Sequence, residues 1–475
     1  MHKRTKIIAT IGPASGSAAI IAKLIRAGMD AARLNFSHGE RKDHVRRIKL
    51  IRTEAAGAGR QIAIIQDLQG PKLRVGPVKN DAITLRRGDE ITVTARKITG
   101  TSSIISVTYP RLTKDLETGD RILLDDGRLE LKVMKVKSSG LACKVVRGGV
   151  LRSRKGVNLP GARLSLPSLS RKDRDDLVFG VKNGVDYIAL SFVRTAEDIR
   201  RTRRFLKALG ADTPIIAKIE KPEAVHNLDE IIEAADGIMV ARGDLGVEMS
   251  PENVPLLQKK IIEACHWAEK PVITATQMLE TMIENPQPTR AETSDVANAI
   301  LDGTDCVMLS GETAVGKYPV QAVAFMSRIA RQAEQSVNPW PPDEDVSGPD
   351  ESVAHAACRA AEEQCVRAIV TFTQSGSTAL LVSKHRPRSL IIAATPFEKV
   401  GRLLSLYWGV TPIVVKARRT TDDMISGVEN AMLRRKLVKP GEMIVITAGV
   451  PVGVAGSTNM MKIHHAGEGR SLERH

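Results

Sequence analysis

The chain has 475 residues, more than one hydrophobic core usually organises, so two or three domains are expected. Hydrophobic residues make up 42% and charged ones 26%, which excludes a disordered chain, and no apolar run reaches the roughly 18–20 residues of a membrane-spanning helix. The net charge of +16 invites a nucleic-acid reading, but the basic residues are dispersed and aromatics are only 3%, so small anions such as phosphates and carboxylates fit better than nucleic acid.

The start, Met1-His2-Lys3-Arg4, is basic, but the following apolar stretch stops at Gly12-Pro13. It is too short for a signal-peptide core, so a cytoplasmic protein is expected. Cys143, Cys265, Cys306, Cys358 and Cys365 form no CxxC pair and read as reduced, mostly buried thiols. The ten histidines offer no HExxH spacing, so zinc is not expected.

Short β-branched runs alternate with amphipathic helical patterns along the chain. Strands are expected at Lys6–Ile11, Ala31–Asn35, Ile62–Asp67, Tyr187–Ser191, Ile215–Ile219, Gly237–Val240, Val272–Thr276 and Cys306–Leu309. Eight β–α units in series predict an α/β fold, a closed (β/α)8 TIM barrel that works at the C-terminal ends of its strands. The series is interrupted once. Gly76-Pro77 opens a stretch in which Ile83-Thr84-Leu85, Ile91–Thr94 and Leu129–Val133 alternate apolar and polar, the pattern of a small antiparallel β domain inserted in a barrel loop. Gly156 and Pro160-Gly161 bracket its return as candidate hinges.

A second boundary is the proline-rich, polar run from Pro339 to Asp345, followed by Gly348-Pro349. Beyond it, Ala368–Thr373, Leu390–Ala394, Thr411–Val415 and Met443–Thr447 predict a separate α/β sheet domain. The expected organisation is barrel over 1–75, insertion over 76–157, barrel again over 158–338, linker over 339–351 and a C-terminal domain over 352–475.

The polar residues just past the barrel strands form a set. Arg33–Gly39 follows the second strand and Asp67–Arg74 the third; Lys218-Ile219-Glu220 ends the fifth. Arg242–Gly246, Thr276–Glu280 and Ser310–Thr313 follow the sixth, seventh and eighth. Arginines, a lysine and separated carboxylates converging on one rim would hold an anionic phosphate with a divalent ion. Positions i and i+2 of a strand share a face, so Lys218 and Glu220 point the same way, either into the barrel mouth or as a surface pair. Arg33 and Asp67 could instead be a structural ion pair under the rim, and Arg242–Gly246 an ordinary turn.

From Thr5-Lys6-Ile7 and Ile11–Ser15 to Gly456–Asn459, the chain resembles the pyruvate kinase family. The motifs Arg33–Gly39, Gly156–Gly161, Ile238–Gly246, Thr274–Glu280, Pro288–Glu292 and Asp295–Asn298 carry the likeness. The resemblance implies phosphoryl transfer from phosphoenolpyruvate to ADP, giving pyruvate and ATP in glycolysis. It implies that Lys218 stabilises the phosphoryl group in flight, that Arg33 grips the substrate phosphate, and that Thr276 lies beside the carbon to be protonated. Glu220 and Asp244 would bind Mg²⁺ (or Mn²⁺), and the Gly243–Asp244 backbone would meet the substrate carboxylate. Asn35, Phe36, Ser37, His38, Arg74 and Lys155 would hold nucleotide phosphates. The inserted domain, a β-barrel lid in the family, would close to exclude water. A homotetramer is implied by the family alone.

The family's K⁺ site matches Asn35, Ser37, Asp67 and the Leu68 carbonyl. K⁺-dependent members carry Glu where this chain has Lys72 and Thr where it has Leu68. Lys72 therefore either replaces the ion electrostatically or is a solvated rim side chain. In the C-terminal domain, Thr373-Gln374-Ser375-Gly376-Ser377-Thr378 stands at a strand-to-helix turn, either a phosphate nest or a plain N-cap. The family places an effector there, so a sugar phosphate or nucleotide is expected. Gln374 and Ser377 replace basic residues of other members, which argues against fructose bisphosphate. The competing readings are another phosphoenolpyruvate or pyruvate barrel enzyme, a non-catalytic metabolite-binding protein, and a basic RNA-binding protein.

Overall fold

The computed structural model describes residues 3–162, 165, 167–337, 348–418, 420–450 and 458–468. The expected linker run Pro339–Asp345 and the Gly456-Ser457 pair lie outside the described residues. Three strands open the chain: β1 (Lys6–Thr10), β2 (Ala31–Asn35) and β3 (Ala63–Asp67). The insertion then contributes β4 (Ala82–Leu85), β5 (Glu90–Thr94), β6 (Ile104–Ser106), β7 (Arg121–Leu124), β8 (Leu129–Lys137), β9 (Gly140–Arg147), β10 (Gly149–Arg152) and β11 (Val157–Asn158). The first series resumes with β12 (Tyr187–Leu190), β13 (Ile215–Ile219), β14 (Gly237–Ala241), β15 (Val272–Ala275) and β16 (Cys306–Leu309). The last sheet holds β17 (Ala368–Phe372), β18 (Leu390–Thr395), β19 (Val410–Val414), β20 (Met443–Gly449) and β21 (Thr458–His465).

The barrel closes in the order β1-β16-β15-β14-β13-β12-β3-β2, with every pairing parallel. These are the eight strands expected, with ends displaced by at most one residue. Both faces are buried, which is why the strands read as near-continuous apolar runs. Ile7, Ile64, Ile188 and Val307 pack outward against the helices, while Ile8, Ile65, Ile216, Met239 and Met308 fill the interior. Reciprocal caps start several of the outer helices. Ser170 pairs with Asp173 at Arg171–Lys182, and Thr289 with Glu292 at Arg290–Leu301.

That alternation sets the rim. Two positions beyond the inward Ile8, Ala31, Ile65, Ala189 and Ile216 stand Thr10, Arg33, Asp67, Ser191 and Lys218, on the same interior face. The opposite end of the barrel is shut by the C-terminal domain. Leu406 joins the interior core, and the Tyr187 hydroxyl donates to the Leu403 carbonyl at 2.9 Å. Beside it Asp305 pairs with Lys384 at 3.1 Å and Arg386 at 2.9 Å, all three buried.

The insertion hydrogen-bonds as a six-stranded sheet, β11-β7-β8-β9-β5-β6, and a two-stranded sheet, β10-β4, around one core that includes Val93, Leu124, Leu131, Leu141 and Leu151. The expectation of a purely antiparallel unit needs one correction, because β5 and β6 pair in parallel. The loop between them re-enters on the same side, through the Val78–Gly100 bridge. The C-terminal sheet runs β19-β18-β17-β20-β21. Its first four strands are the four expected; β21, which pairs antiparallel with β20, was not legible, since most of its residues are exposed and lack a clean alternation. Four of the five cysteines are buried and all five are free; Cys365 is exposed.

Candidate active site

At the open mouth, side chains from five strands meet. Asp67 is the hub: Arg33 Nε donates to its Oδ2 at 2.6 Å and Lys218 Nζ to its Oδ1 at 3.2 Å. Lys218 also reaches Glu220 Oε1 at 2.8 Å and Ser191 Oγ at 2.8 Å. The Ser191 hydroxyl donates to the Leu68 carbonyl at 2.8 Å, and Arg33 Nη1 donates to Thr10 Oγ1 at 3.1 Å. Neither Ser191 nor Thr10 was singled out in the sequence. Their signal was there: each stands two positions past an inward strand residue, as Lys218 does.

The electrostatics follow from burial against charge. Burial alone would lower the Lys218 pKa, but Asp67 and Glu220 outweigh it and hold the ammonium above its ordinary value. Burial would raise Asp67, yet Lys218 and Arg33 keep its carboxyl below the usual range. Glu220 stays above that range because burial and the like charge of Asp244 exceed what Lys218 offsets. Arg33 and Lys218 thus face three carboxylates, and Glu220 and Asp244 are left as an under-neutralised pair. Such a pair suits a hard divalent cation that completes its shell with substrate and water oxygens. No group of three or more metal-ligating side chains occurs among the described residues, so a wholly protein-made cage is not offered.

Asp244 sits in the first turn of a short helix, Arg242–Glu248. Arg242 braces the neighbouring loop: its guanidinium pairs with both Asp295 oxygens at 2.7 Å and donates to the Thr276 carbonyl at 2.9 Å. Thr276 and Gln277 are held at φ of 69° and 55°, a costly region for a β-branched residue. The Gly243 N–H donates to Thr276 Oγ1 at 2.7 Å, which places the hydroxyl beside Asp244. Arg242–Gly246 is therefore not a plain turn, and Arg242 itself is a brace that sequence reading passed over.

The remaining candidates divide. Asn35 Oδ1 accepts from the Ser37 N–H at 3.0 Å at the end of β2. Exposed His38 has its pKa lowered by desolvation and by the charges of Lys72, Arg74 and Arg33, so these cations share one side of the mouth. Phe36 departs from expectation: its side chain is buried away from the rim, stacked on His44 at 4.1 Å, and its N–H is taken by the Asp67 carbonyl at 2.9 Å. An apolar ring inside a polar loop is there to anchor it. Arg74 and Lys155 lie on the two crossings into the insertion, where Arg74 bridges Gly156. Lys155 pairs with Asp125 at 2.9 Å, and Arg74 donates to the Arg154 carbonyl at 3.1 Å.

Far from the mouth, Thr373, Gln374, Ser375, Ser377 and Thr378 line a cavity of about 530 Å³ in the C-terminal domain. Lys416, Arg418 and Arg434 face them across it. These three cations come from other elements and were not flagged in the sequence. Gly376, at φ 103°, turns the loop into helix Ser377–Lys384, and its N–H donates to Thr373 Oγ1 at 2.8 Å.

A closed parallel barrel with cations and carboxylates gathered at its mouth, an inserted β unit above and a C-terminal domain packed on its base defines an enzyme that handles phosphorylated anions. Residues 2–323 match the family described as "Pyruvate kinase, barrel domain" and residues 351–464 "Pyruvate kinase, alpha/beta domain". A pyruvate kinase from Geobacillus stearothermophilus is 50% identical over 472 residues, covering 98% of this chain and 80% of that protein. "Pyruvate kinase 2" from Synechocystis sp. is 47% identical over 468 residues, covering 98% and 79%. The crystal structure of a pyruvate kinase from Cryptosporidium parvum superposes with a TM-score of 0.91 at 38% identity, covering 98% of this chain and 96% of that one. The chain belongs to the pyruvate kinase family.

Proposed function

We propose that the Arg33–Asp67–Lys218–Glu220 cluster is the centre at which this chain transfers the phosphoryl group of phosphoenolpyruvate to ADP. The observation that carries the reading is Lys218, a buried ammonium kept charged between two carboxylates at the barrel mouth. An ADP β-phosphate oxygen bonds to phosphorus while the bond from phosphorus to the enol oxygen breaks. Lys218 and Arg33 carry the charge on the phosphoryl oxygens, and the freed enolate takes a proton at its methylene carbon, beside Thr276, to become pyruvate. Glu220 and Asp244 would hold Mg²⁺ or Mn²⁺, which supplies further neutralisation of substrate charge when bound. Asn35, Ser37, His38, Arg74 and Lys155 would hold the nucleotide phosphates. The insertion acts as a lid that keeps water from competing with ADP.

Three finer readings accompany this. Asn35, Ser37, Asp67 and the Leu68 carbonyl form the family's K⁺ position, and Lys72 supplies the positive charge instead. The Thr373–Thr378 loop takes a phosphorylated effector, a sugar phosphate or nucleotide, with Lys416, Arg418 and Arg434 furnishing the charge that Gln374 and Ser377 lack. The enzyme is a cytoplasmic homotetramer, a state that light scattering on the purified protein tests; among the described residues no helix is long and apolar enough to cross a membrane. The test of the reaction is coupling: ATP must appear one-for-one with pyruvate from phosphoenolpyruvate, ADP and Mg²⁺. Pyruvate formed without ATP would favour a different phosphoenolpyruvate barrel enzyme.

A further inference from the structure

Beneath the insertion, a buried carboxylate outside the proposed catalytic set joins three parts of the mouth. Glu248 ends the helix that begins with Arg242, and its side chain is only 2% exposed. Its Oε1 accepts from Asn158 Nδ2 at 2.8 Å and from Lys221 Nζ at 2.5 Å. Asn158 belongs to β11, which pairs with β7 inside the insertion, so one donor comes from the lid sheet. Lys221 directly follows Glu220 and lies over the Phe192 ring at 5.6 Å. The Phe192 N–H donates to Glu220 Oε2 at 2.9 Å, and the same ring packs so closely on Gly70 that a Cβ there would sit 2.5 Å from it.

One oxygen therefore ties the lid's return strand to both carboxylate-bearing segments, and through Phe192 to the loop that carries Lys72. A cavity of about 80 Å³ lies between these groups, lined by Lys72, Asn158, Phe192, Lys221, Asp244 and Glu248. The turn at Gly127 makes a second approach, with room for a Cβ only 3.9 Å from Val247. A buried Lys–Glu pair is weak evidence for stability, since desolvation offsets most of its attraction. Its value here is geometric, because the shared acceptor aligns two elements that have no covalent reason to meet.

We propose that Glu248 is a positioning residue that latches the inserted β unit onto the rim bearing Glu220 and Asp244. The proposal rests on the lid reading above. With the latch made, the lid's return strand and the carboxylates move as one body; with it broken, the lid seats loosely and the mouth stays wet.

The test pairs Glu248→Leu, which removes the acceptor, with Asn158→Ala, at a half-buried position outside the barrel strands. Hydrogen–deuterium exchange across residues 118–160 is followed with and without Mn²⁺ and phosphoenolpyruvate, beside kcat, KM and the melting temperature. The wild type is expected to slow its exchange there on adding the ligands, and both variants to lose that protection. Each variant should lose roughly 10- to 100-fold in kcat/KM, the worth of one charge-assisted hydrogen bond. The double variant should be no worse than Glu248→Leu alone, because Asn158 has already lost its acceptor there. Retained protection in Glu248→Leu, or additive losses in the double variant, overturns the latch. Absence of ligand-dependent protection in the wild type overturns the lid reading first, and the latch with it.

Discussion

Lys218 Nζ stands 2.8 Å from Glu220 Oε1, two positions further along the same chain segment, and both side chains are almost wholly buried at the barrel mouth. The pairing follows from strand geometry, in which i and i+2 face the same way. It keeps an ammonium charged where water is scarce, and that is where a fixed positive charge acts most strongly on a phosphoryl group.

Replacing Lys218 with Met removes that charge without much change in volume. A preorganised charged donor in such a site contributes about 3–4 kcal/mol to barrier lowering, so kcat should fall on the order of 10²–10³. Binding of phosphoenolpyruvate should persist through Arg33. A steady-state assay and a direct binding titration check both; near-normal kcat in a folded variant removes Lys218 from the mechanism.

Lys72 predicts activity in buffer free of K⁺ and Na⁺, with little gain when K⁺ is added. The Lys72→Glu variant should turn K⁺-dependent, since it would restore the carboxylate that dependent relatives carry at this position. A many-fold K⁺ activation of the wild type would instead make Lys72 an ordinary solvated rim residue.

The effector cavity predicts a leftward shift of the phosphoenolpyruvate saturation curve with a phosphorylated metabolite. Arg434→Ala, which removes one of the three facing cations, should weaken that response about tenfold while leaving basal kcat alone. Titration of sugar phosphates and nucleoside monophosphates in parallel names the class. A curve unmoved by every one of them leaves the loop structural.

His266 supplies a stability prediction. Burial, with Lys384 and Arg386 nearby, lowers its pKa to about 3. An unfolded histidine takes up its proton near pH 6.5, so the unfolded state binds more protons throughout the window between these values. Stability is complete above about pH 6.5 and declines as the pH falls, by about 1.4 kcal/mol per unit from this residue. His266→Gln should flatten the slope by one proton between pH 6 and 4.5 in urea denaturation; an unchanged slope would show that the imidazole is protonated in the folded protein.

The barrel strands were legible because their signal is local. Apolar runs such as Lys6–Thr10 and Ile215–Ile219 are buried on both faces and carry their pattern within five residues. The motif-bearing rim segments were legible for the same reason, down to Lys218 and Glu220 sharing a face. The parallel pairing of β5 with β6 and the exposed edge strand β21 were not, since each is decided by a neighbour the local pattern does not name.

What the chain's own order of residues determined is which side chains each strand delivers to the mouth. Barrel closure alone decided that Asp67 meets Lys218 across 151 residues, and that Ser191 and Thr10 complete the cluster. Packing of the C-terminal sheet with its helices set Lys416, Arg418 and Arg434 opposite a loop that carries no charge of its own, and the return of the insertion joined Asn158 to Glu248. Alternation along a strand is fixed by backbone geometry within a few residues, whereas contact between distant segments depends on how the strands tilt and pack as a whole.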